Sequence, residues 1–102
     1  MTKVAVVFAE GFEEIEALSP VDVFRRAGFD CSMLGLESAS VTGSHGIQVA
    51  MDGVFDGNFA DYDLVVLPGG MPGSTNLRDN QALIVSLQDA AKAGKYVAAI
   101  CA

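Results

Sequence analysis

The sequence predicts an α/β fold in which helices cover both faces of a mostly parallel sheet. Two runs of β-branched and apolar residues, 3–8 and 63–67, have the composition of strands buried inside a parallel sheet. Helical patterns lie between the predicted strands, and this alternation implies right-handed crossovers and parallel pairing. With 102 residues, 51% hydrophobic and only 19% charged, the chain has the size and composition of one small domain with a compact core.

The first helix follows the first strand after a turn at residues 10–12. Residues 13–27 have helical spacing, with acidic side chains in the first turn and arginines in the last, an order that suits the helix dipole. Gly28 is the expected stop. Pro20 removes one backbone donor inside this helix, so a kink or an irregular turn is expected near Ala17.

The remaining elements continue the alternation. Residues 29–34 predict a second strand, and residues 40–55, which alternate in part and contain glycines, predict short antiparallel or edge strands. A second helix is indicated by apolar residues that share one helical face and precede the terminating Gly94, namely Leu83, Ile84, Leu87, Ala90 and Ala91. Residues 95–100 predict the fourth core strand.

The charge balance and the lack of targeting patterns argue against several classes of protein. Thirteen acidic residues against six basic ones give a formal charge of -7 without a basic stripe, which argues against nucleic-acid binding. No segment has the pattern of a signal peptide or the length of a membrane helix. Cys31 and Cys101 show neither disulfide nor metal spacing, so a cytoplasmic protein with reduced thiols and no membrane association is expected.

Cys101 is the candidate nucleophile, because it follows directly on an apolar strand. Ligands of open α/β sheets bind outside the carboxyl ends of the strands, where three loops of this chain converge: residues 9–16, 68–75 and 101–102. A free thiol has a pKa of about 8.5 and needs stabilisation of its anion to react at neutral pH. The alternative interpretation is a buried structural cysteine.

The acidic residues Glu13, Glu14 and Glu16 begin the first helix under the same crevice. An acid that points at the thiol would have a raised pKa and, when protonated, would donate a hydrogen bond to the thiolate. For any single glutamate here, compensation of the helix dipole is the alternative interpretation.

The glycine-rich residues 68–73 form the third part of the predicted site. Glycines allow close approach to a ligand, so Gly70 N–H and Ala102 N–H are candidate donors of an oxyanion hole. The segment lacks the residues of a phosphate loop or a dinucleotide fingerprint, and a plain strand-to-helix connection is the alternative. His45 is expected in an exposed turn and is not assigned as a catalytic base, while Cys31 is expected in the core.

Together these segments resemble the ThiJ/PfpI superfamily, and within it the DJ-one branch, the group of the Parkinson-associated protein deglycase. The resemblance runs through the whole chain. It is carried by residues 9–16 (AEGFEEIE), 20–28 (PVDVFRRAG), 65–70 (VVLPGG) and 98–102 (AAICA).

The resemblance implies a flavodoxin-like three-layer sandwich of the class I glutamine amidotransferase type, usually as a homodimer. By position, Cys101 matches the family nucleophile, Glu16 the protonated acid beside it, and Gly69, Gly70 and Ala102 the backbone of the oxyanion hole. The family histidine lies later in the chain and His45 is not its match. Residues 1–102 are therefore expected to be the N-terminal portion of a single domain, with the remainder expected as a separate chain.

The function that this resemblance implies is a glyoxalase or deglycase that uses the Cys101 thiolate on methylglyoxal, a small aldehyde, or on glycated proteins. No metal or organic cofactor is expected. Two alternatives stay open: a redox-sensing stress protein or chaperone oxidised at Cys101, and a PfpI-type peptidase or amidase.

Overall fold

The computed structural model describes residues 2–100, which form a five-stranded parallel sheet with helices on both faces. The sheet has the strand order β5-β2-β1-β6-β7, and β3 and β4 pair as a separate antiparallel hairpin. Along the chain the elements are β1 (Lys3–Phe8), α1 (Glu14–Arg26), β2 (Asp30–Gly35), β3 (Ser40–Thr42), β4 (Gln48–Ala50), β5 (Gly53–Val54), β6 (Leu64–Leu67), α2 (Gly73–Arg78), α3 (Gln81–Lys92) and β7 (Tyr96–Ala99).

The central strand β1 divides the core into two halves. Alternate residues of a strand point to opposite faces of the sheet. Ala5 and Val7 accordingly join a cluster that contains Leu83 of α3, whereas Val4 and Val6 join a cluster that contains Val21 of α1. This is the predicted three-layer α/β sandwich, with a strand buried on both faces at its centre.

Both long helices end at the glycines that the sequence indicates. Gly28, with φ 86°, follows α1, and Gly94, with φ 82°, follows α3. Beyond the first of these glycines, Phe29 N–H donates to the Phe24 carbonyl at 3.0 Å, the hydrogen bond of a Schellman motif. The Phe24 and Phe29 rings stack at 5.7 Å over this turn.

Three features differ from the sequence prediction. Helix α1 continues unbroken across Pro20, so no irregular turn forms near Ala17. Helix α2 was not predicted, because it is only six residues long and buries a single large apolar side chain, Leu77. The predicted fourth core strand, β7, lies at the edge of the sheet within residues 2–100, and all four of its residues are exposed.

No helix within residues 2–100 is long and apolar enough to cross a membrane.

Candidate functional site

The candidate site lies outside the carboxyl ends of β1 and β6, which are neighbours in the sheet. β1 pairs with β2 on one side and with β6 on the other, so the strand order reverses between β1 and β6. The chain after β1 enters α1 on one face of the sheet, whereas the chain after β6 leads to α3 on the opposite face. Connections that diverge in this way open a crevice at the sheet edge.

Residues 11–14 form the wall between two loops at this edge. On one side, Gly11 N–H donates to the Thr42 carbonyl at 2.9 Å, and Ser44 N–H donates to the Phe12 carbonyl at 2.8 Å. On the other side, Glu13 N–H donates to the Gly69 carbonyl at 2.9 Å. The start of α1 is therefore held by backbone hydrogen bonds from the β3–β4 loop and from the loop after β6.

Gly70 touches the start of α1 so closely that no side chain fits. Its φ is 100°, a conformation that favours glycine, and a Cβ placed there would lie 2.4 Å from the Glu13 nitrogen. Among residues 2–100 the Gly70 N–H donates no hydrogen bond. The sequence predicts that this loop approaches a ligand closely, whereas the close contact that Gly70 makes is with the protein's own backbone at Phe12 and Glu13.

Glu16 reaches across the crevice to the same loop. Its Oε1 accepts a hydrogen bond from Gly69 N–H at 3.2 Å, and the side chain is half-buried. Glu13 has a different task, because its Oε2 accepts from Glu16 N–H at 2.8 Å and thereby caps α1. Of the three glutamates predicted at the crevice, Glu16 is the one whose side chain binds the glycine loop.

The predicted nucleophile Cys101 and the predicted backbone donor Ala102 lie outside the described residues. Strand β7 runs parallel to β6, in a register that places Ala99 beside Leu67. Ile100 N–H then donates to the Leu67 carbonyl at 2.9 Å. The chain therefore heads toward the same edge as the Glu16 and Gly69 pair.

Glu14 is the residue whose role the sequence did not reveal. Its side chain is only 6% exposed, and its carboxylate binds the β3–β4 loop, residues 43–47. Oε2 accepts from His45 N–H at 2.8 Å and from Ile47 N–H at 3.4 Å, and Oε1 lies 2.8 Å from His45 Nδ1. We call this set of contacts the Glu14–His45 clasp. His45 and Ile47 lie 31 and 33 residues after Glu14 in the sequence, so no local pattern predicts the clasp.

The clasp shifts the pKa of both partners. Burial by itself raises the pKa of Glu14, but the hydrogen bonds from His45 and Ile47 outweigh burial and lower the pKa to about 2. The hydrogen bond to Glu14 and the charge of its carboxylate raise the pKa of His45 above its ordinary value of 6.5. His45 does lie exposed, as predicted, but its ring is paired with a buried acid.

The clasp predicts a stability optimum in mildly acidic solution. The Glu14 contribution is present above its unfolded pKa near 4.5 and is lost as the pH falls toward 2. The His45 contribution is complete below 6.5 and is lost as the pH rises through the raised folded pKa. We expect the urea midpoint of unfolding to be highest between these limits. Glu14→Gln should reduce the fall of the urea midpoint on both the acidic and the alkaline side of the optimum, whereas His45→Gln should reduce it mainly on the alkaline side. An unchanged pH dependence of the urea midpoint in Glu14→Gln would contradict the assignment of this optimum to the clasp.

No metal site is assigned within residues 2–100. The ligand atoms of Glu13, Glu14 and His45 lie within 4.8 Å of one another. However, Glu14 Oε1 already pairs with His45 Nδ1, Glu14 Oε2 accepts from His45 N–H, and Glu13 caps α1. Cys31 lies buried in β2, as predicted for a core residue, and burial raises the pKa of its thiol.

Comparisons with known proteins agree with the fold and with the family resemblance. Residues 2–102 match the model of the DJ-1/PfpI family. The Parkinson disease protein 7 homolog of Danio rerio is 37% identical over 100 residues, which cover 95% of this chain and 53% of that protein. A deglycase of Thermococcus kodakarensis is 32% identical over 100 residues, which cover 97% of this chain and 60% of that protein.

A solved structure gives the same result in three dimensions. Oxidized DJ-1 of Toxoplasma gondii superposes with a TM-score of 0.89 at 37% identity, covering 99% of this chain and 55% of that one. The chain thus spans little more than half the length of these three proteins. The resemblance to this family is confirmed. The chain belongs to the DJ-1/PfpI family and has its flavodoxin-like fold.

Proposed function

We propose that the protein is a cysteine-dependent glyoxalase or deglycase that acts on methylglyoxal or on its early adducts with proteins. The observation that carries this proposal is the hydrogen bond between Glu16 and Gly69 N–H, in the crevice toward which β7 leads. A relative named as a deglycase, 32% identical over 100 residues, supports the reaction class.

In the proposed reaction the Cys101 thiolate attacks the aldehyde carbon of methylglyoxal. A carbon–sulfur bond forms, and the carbonyl electron pair moves onto oxygen, where the N–H groups of Gly70 and Ala102 stabilise the charge. Glu16 then moves a proton from the former aldehyde carbon to the ketone carbon, which leaves lactate bound to Cys101 as a thioester. Water attacks this thioester, the carbon–sulfur bond breaks, and lactate and the Cys101 thiol are released. Overall, methylglyoxal and water give lactate, since the aldehyde carbon is oxidised while the ketone carbon is reduced. No external oxidant, reductant or cofactor is consumed.

The role of Glu16 is tested by measuring lactate formed from methylglyoxal. Glu16→Gln keeps an oxygen that can accept from Gly69 N–H but cannot exchange a proton at neutral pH. We expect it to lower kcat by about a hundredfold or more, the usual contribution of a positioned acid–base group. The matched control is Glu37→Gln, because Glu37 is exposed and makes no side-chain hydrogen bond among residues 2–100.

Near-normal turnover by Glu16→Gln would contradict the acid–base role. Absence of lactate from the folded unsubstituted protein would overturn the glyoxalase proposal itself. A deglycase assay on a methylglyoxal-treated thiol or amine then decides whether an adduct, rather than the free aldehyde, is the substrate.

A redox-sensing function is the second candidate, because the Toxoplasma gondii relative, 37% identical to this chain, was solved in a form described as oxidized. Accessible thiols of low pKa are the ones oxidised to sulfinic acid, and an adjacent protonated carboxyl can stabilise that product. Mild peroxide treatment followed by intact mass measurement separates the candidates. Gain of two oxygens at Cys101 without lactate turnover would favour the sensor over the enzyme.

A further inference from the structure

The β3–β4 loop and the glycine loop after β6 lie on opposite sides of the first turn of α1. The β3–β4 loop is attached to this turn by the Glu14–His45 clasp and by the hydrogen bond that Ser44 N–H donates to the Phe12 carbonyl at 2.8 Å. The glycine loop is attached by two hydrogen bonds. Glu13 N–H donates to the Gly69 carbonyl at 2.9 Å, and Gly69 N–H donates to Glu16 Oε1 at 3.2 Å. The first turn of α1 is therefore the element through which a displacement of one loop would reach the other.

Close packing leaves little room for the turn to move independently of either loop. A Cβ at Gly43 would lie 2.4 Å from the Glu14 carboxylate, and a Cβ at Gly70 would lie 2.4 Å from the Glu13 nitrogen. Interiors packed this tightly transmit small displacements instead of absorbing them.

We propose that the Glu14–His45 clasp is a positioning device for the cysteine site, in which the protonation of His45 sets the position of Glu16 against Gly69 N–H. Glu14 and His45 are thus positioning residues and do not touch the substrate. The consequence for turnover rests on the proposed function, whereas the coupling between the two loops does not.

The exposure of His45 makes it suited to sense the pH of the solution. Its side chain is 70% exposed, so protons reach it freely, while its Nδ1 faces the buried Glu14. The charged groups that act on the ring are Glu14 and, more weakly, Glu13, and the neutral Ser44 hydroxyl lies 3.2 Å from Nδ1. Protonated, the ring must donate from Nδ1. Neutral, it donates only in one tautomer and without the charge, so the clasp loosens as the pH rises.

The test follows three NMR signals of the folded protein against pH: the His45 ring, the Gly69 amide and the Glu16 side-chain carboxyl carbon. We expect the Gly69 and Glu16 signals to show an inflection at the midpoint of His45, above its ordinary pKa. In His45→Gln, which hydrogen-bonds but does not titrate, this inflection should vanish. In Glu37→Gln, an exposed acid outside the clasp, it should remain.

A second measurement does not depend on any titration. Glu14→Gln should accelerate hydrogen exchange of the His45 and Ile47 amides, which donate to the Glu14 carboxylate, by roughly tenfold. A His45 ring that titrates while Gly69 and Glu16 show no matching inflection would overturn the proposal. Neither readout uses turnover, so loss of the proposed enzyme activity in Cys101→Ser leaves this test intact.

Discussion

Cys101→Ser is expected to lower lactate formation from methylglyoxal by at least about a thousandfold. The proposed step needs an anionic nucleophile, and even a free thiol is only a few per cent thiolate at neutral pH. A serine hydroxyl is a far weaker acid, and the described part of the site offers it no histidine base, because His45 is paired with Glu14 on the other side of the first turn of α1. The measurement is kcat/KM for lactate production.

Cys31→Ala provides the matched control, since it removes the other thiol of the chain. Cys31 is buried in β2 and packs with the α1 side of the core, away from the crevice. Its substitution should lower stability modestly while leaving turnover per folded molecule near normal. Substantial lactate formation by Cys101→Ser, or equal losses in the two variants, would refute a thiolate mechanism at Cys101.

Gly70→Ala is expected to lower the stability of the protein strongly, because the crevice has no room for a methyl group at this position. The alanine would have to adopt φ near 100° and place its Cβ against the Glu13 nitrogen, at 2.4 Å, and the Phe12 carbonyl carbon, at 2.9 Å. Left-handed strain costs about 1–2 kcal/mol and overpacking about 1–3 kcal/mol, so a loss of roughly 2–5 kcal/mol is expected. The urea midpoint measures it.

Gly28→Ala separates the contribution of backbone strain from that of overpacking. Gly28 has a similar φ of 86°, but nothing lies within 4 Å of the position that the added methyl group would take. Gly28→Ala should therefore lose only the conformational part, about 1–2 kcal/mol. If both variants lost the same stability, the close packing of Gly70 against the start of α1 would not be an energetic feature of the fold.

The sequence predicts those parts of the fold that depend on neighbouring residues. The apolar run of β1 and the glycine stops at Gly28 and Gly94 are local patterns, and each is found where predicted. Helix α2 escaped prediction because six residues are too few to show a helical period. The exposure of β7 depends on what lies beside it, which composition does not encode.

The candidate site divides in the same way. Parallel strands bring the loops after β1 and β6 to one edge, so the meeting of Glu16 with Gly69 follows from element order. The pairing of Glu14 with His45 follows instead from how the β3–β4 hairpin packs on α1. The sequence analysis offers compensation of the helix dipole as the alternative role of Glu14. That role depends only on position in the helix, so it carries no information about a distant partner such as His45.

The outer side of β7 provides a way to observe this edge of the sheet. Tyr96 is 77% exposed, and within residues 2–100 no strand pairs with the outer side of β7. Unpaired backbone N–H and C=O groups beside apolar side chains are a template for intermolecular strand addition. A strand that paired there would extend the sheet and shield Tyr96, so the fluorescence of Tyr96 reports whether this edge is covered.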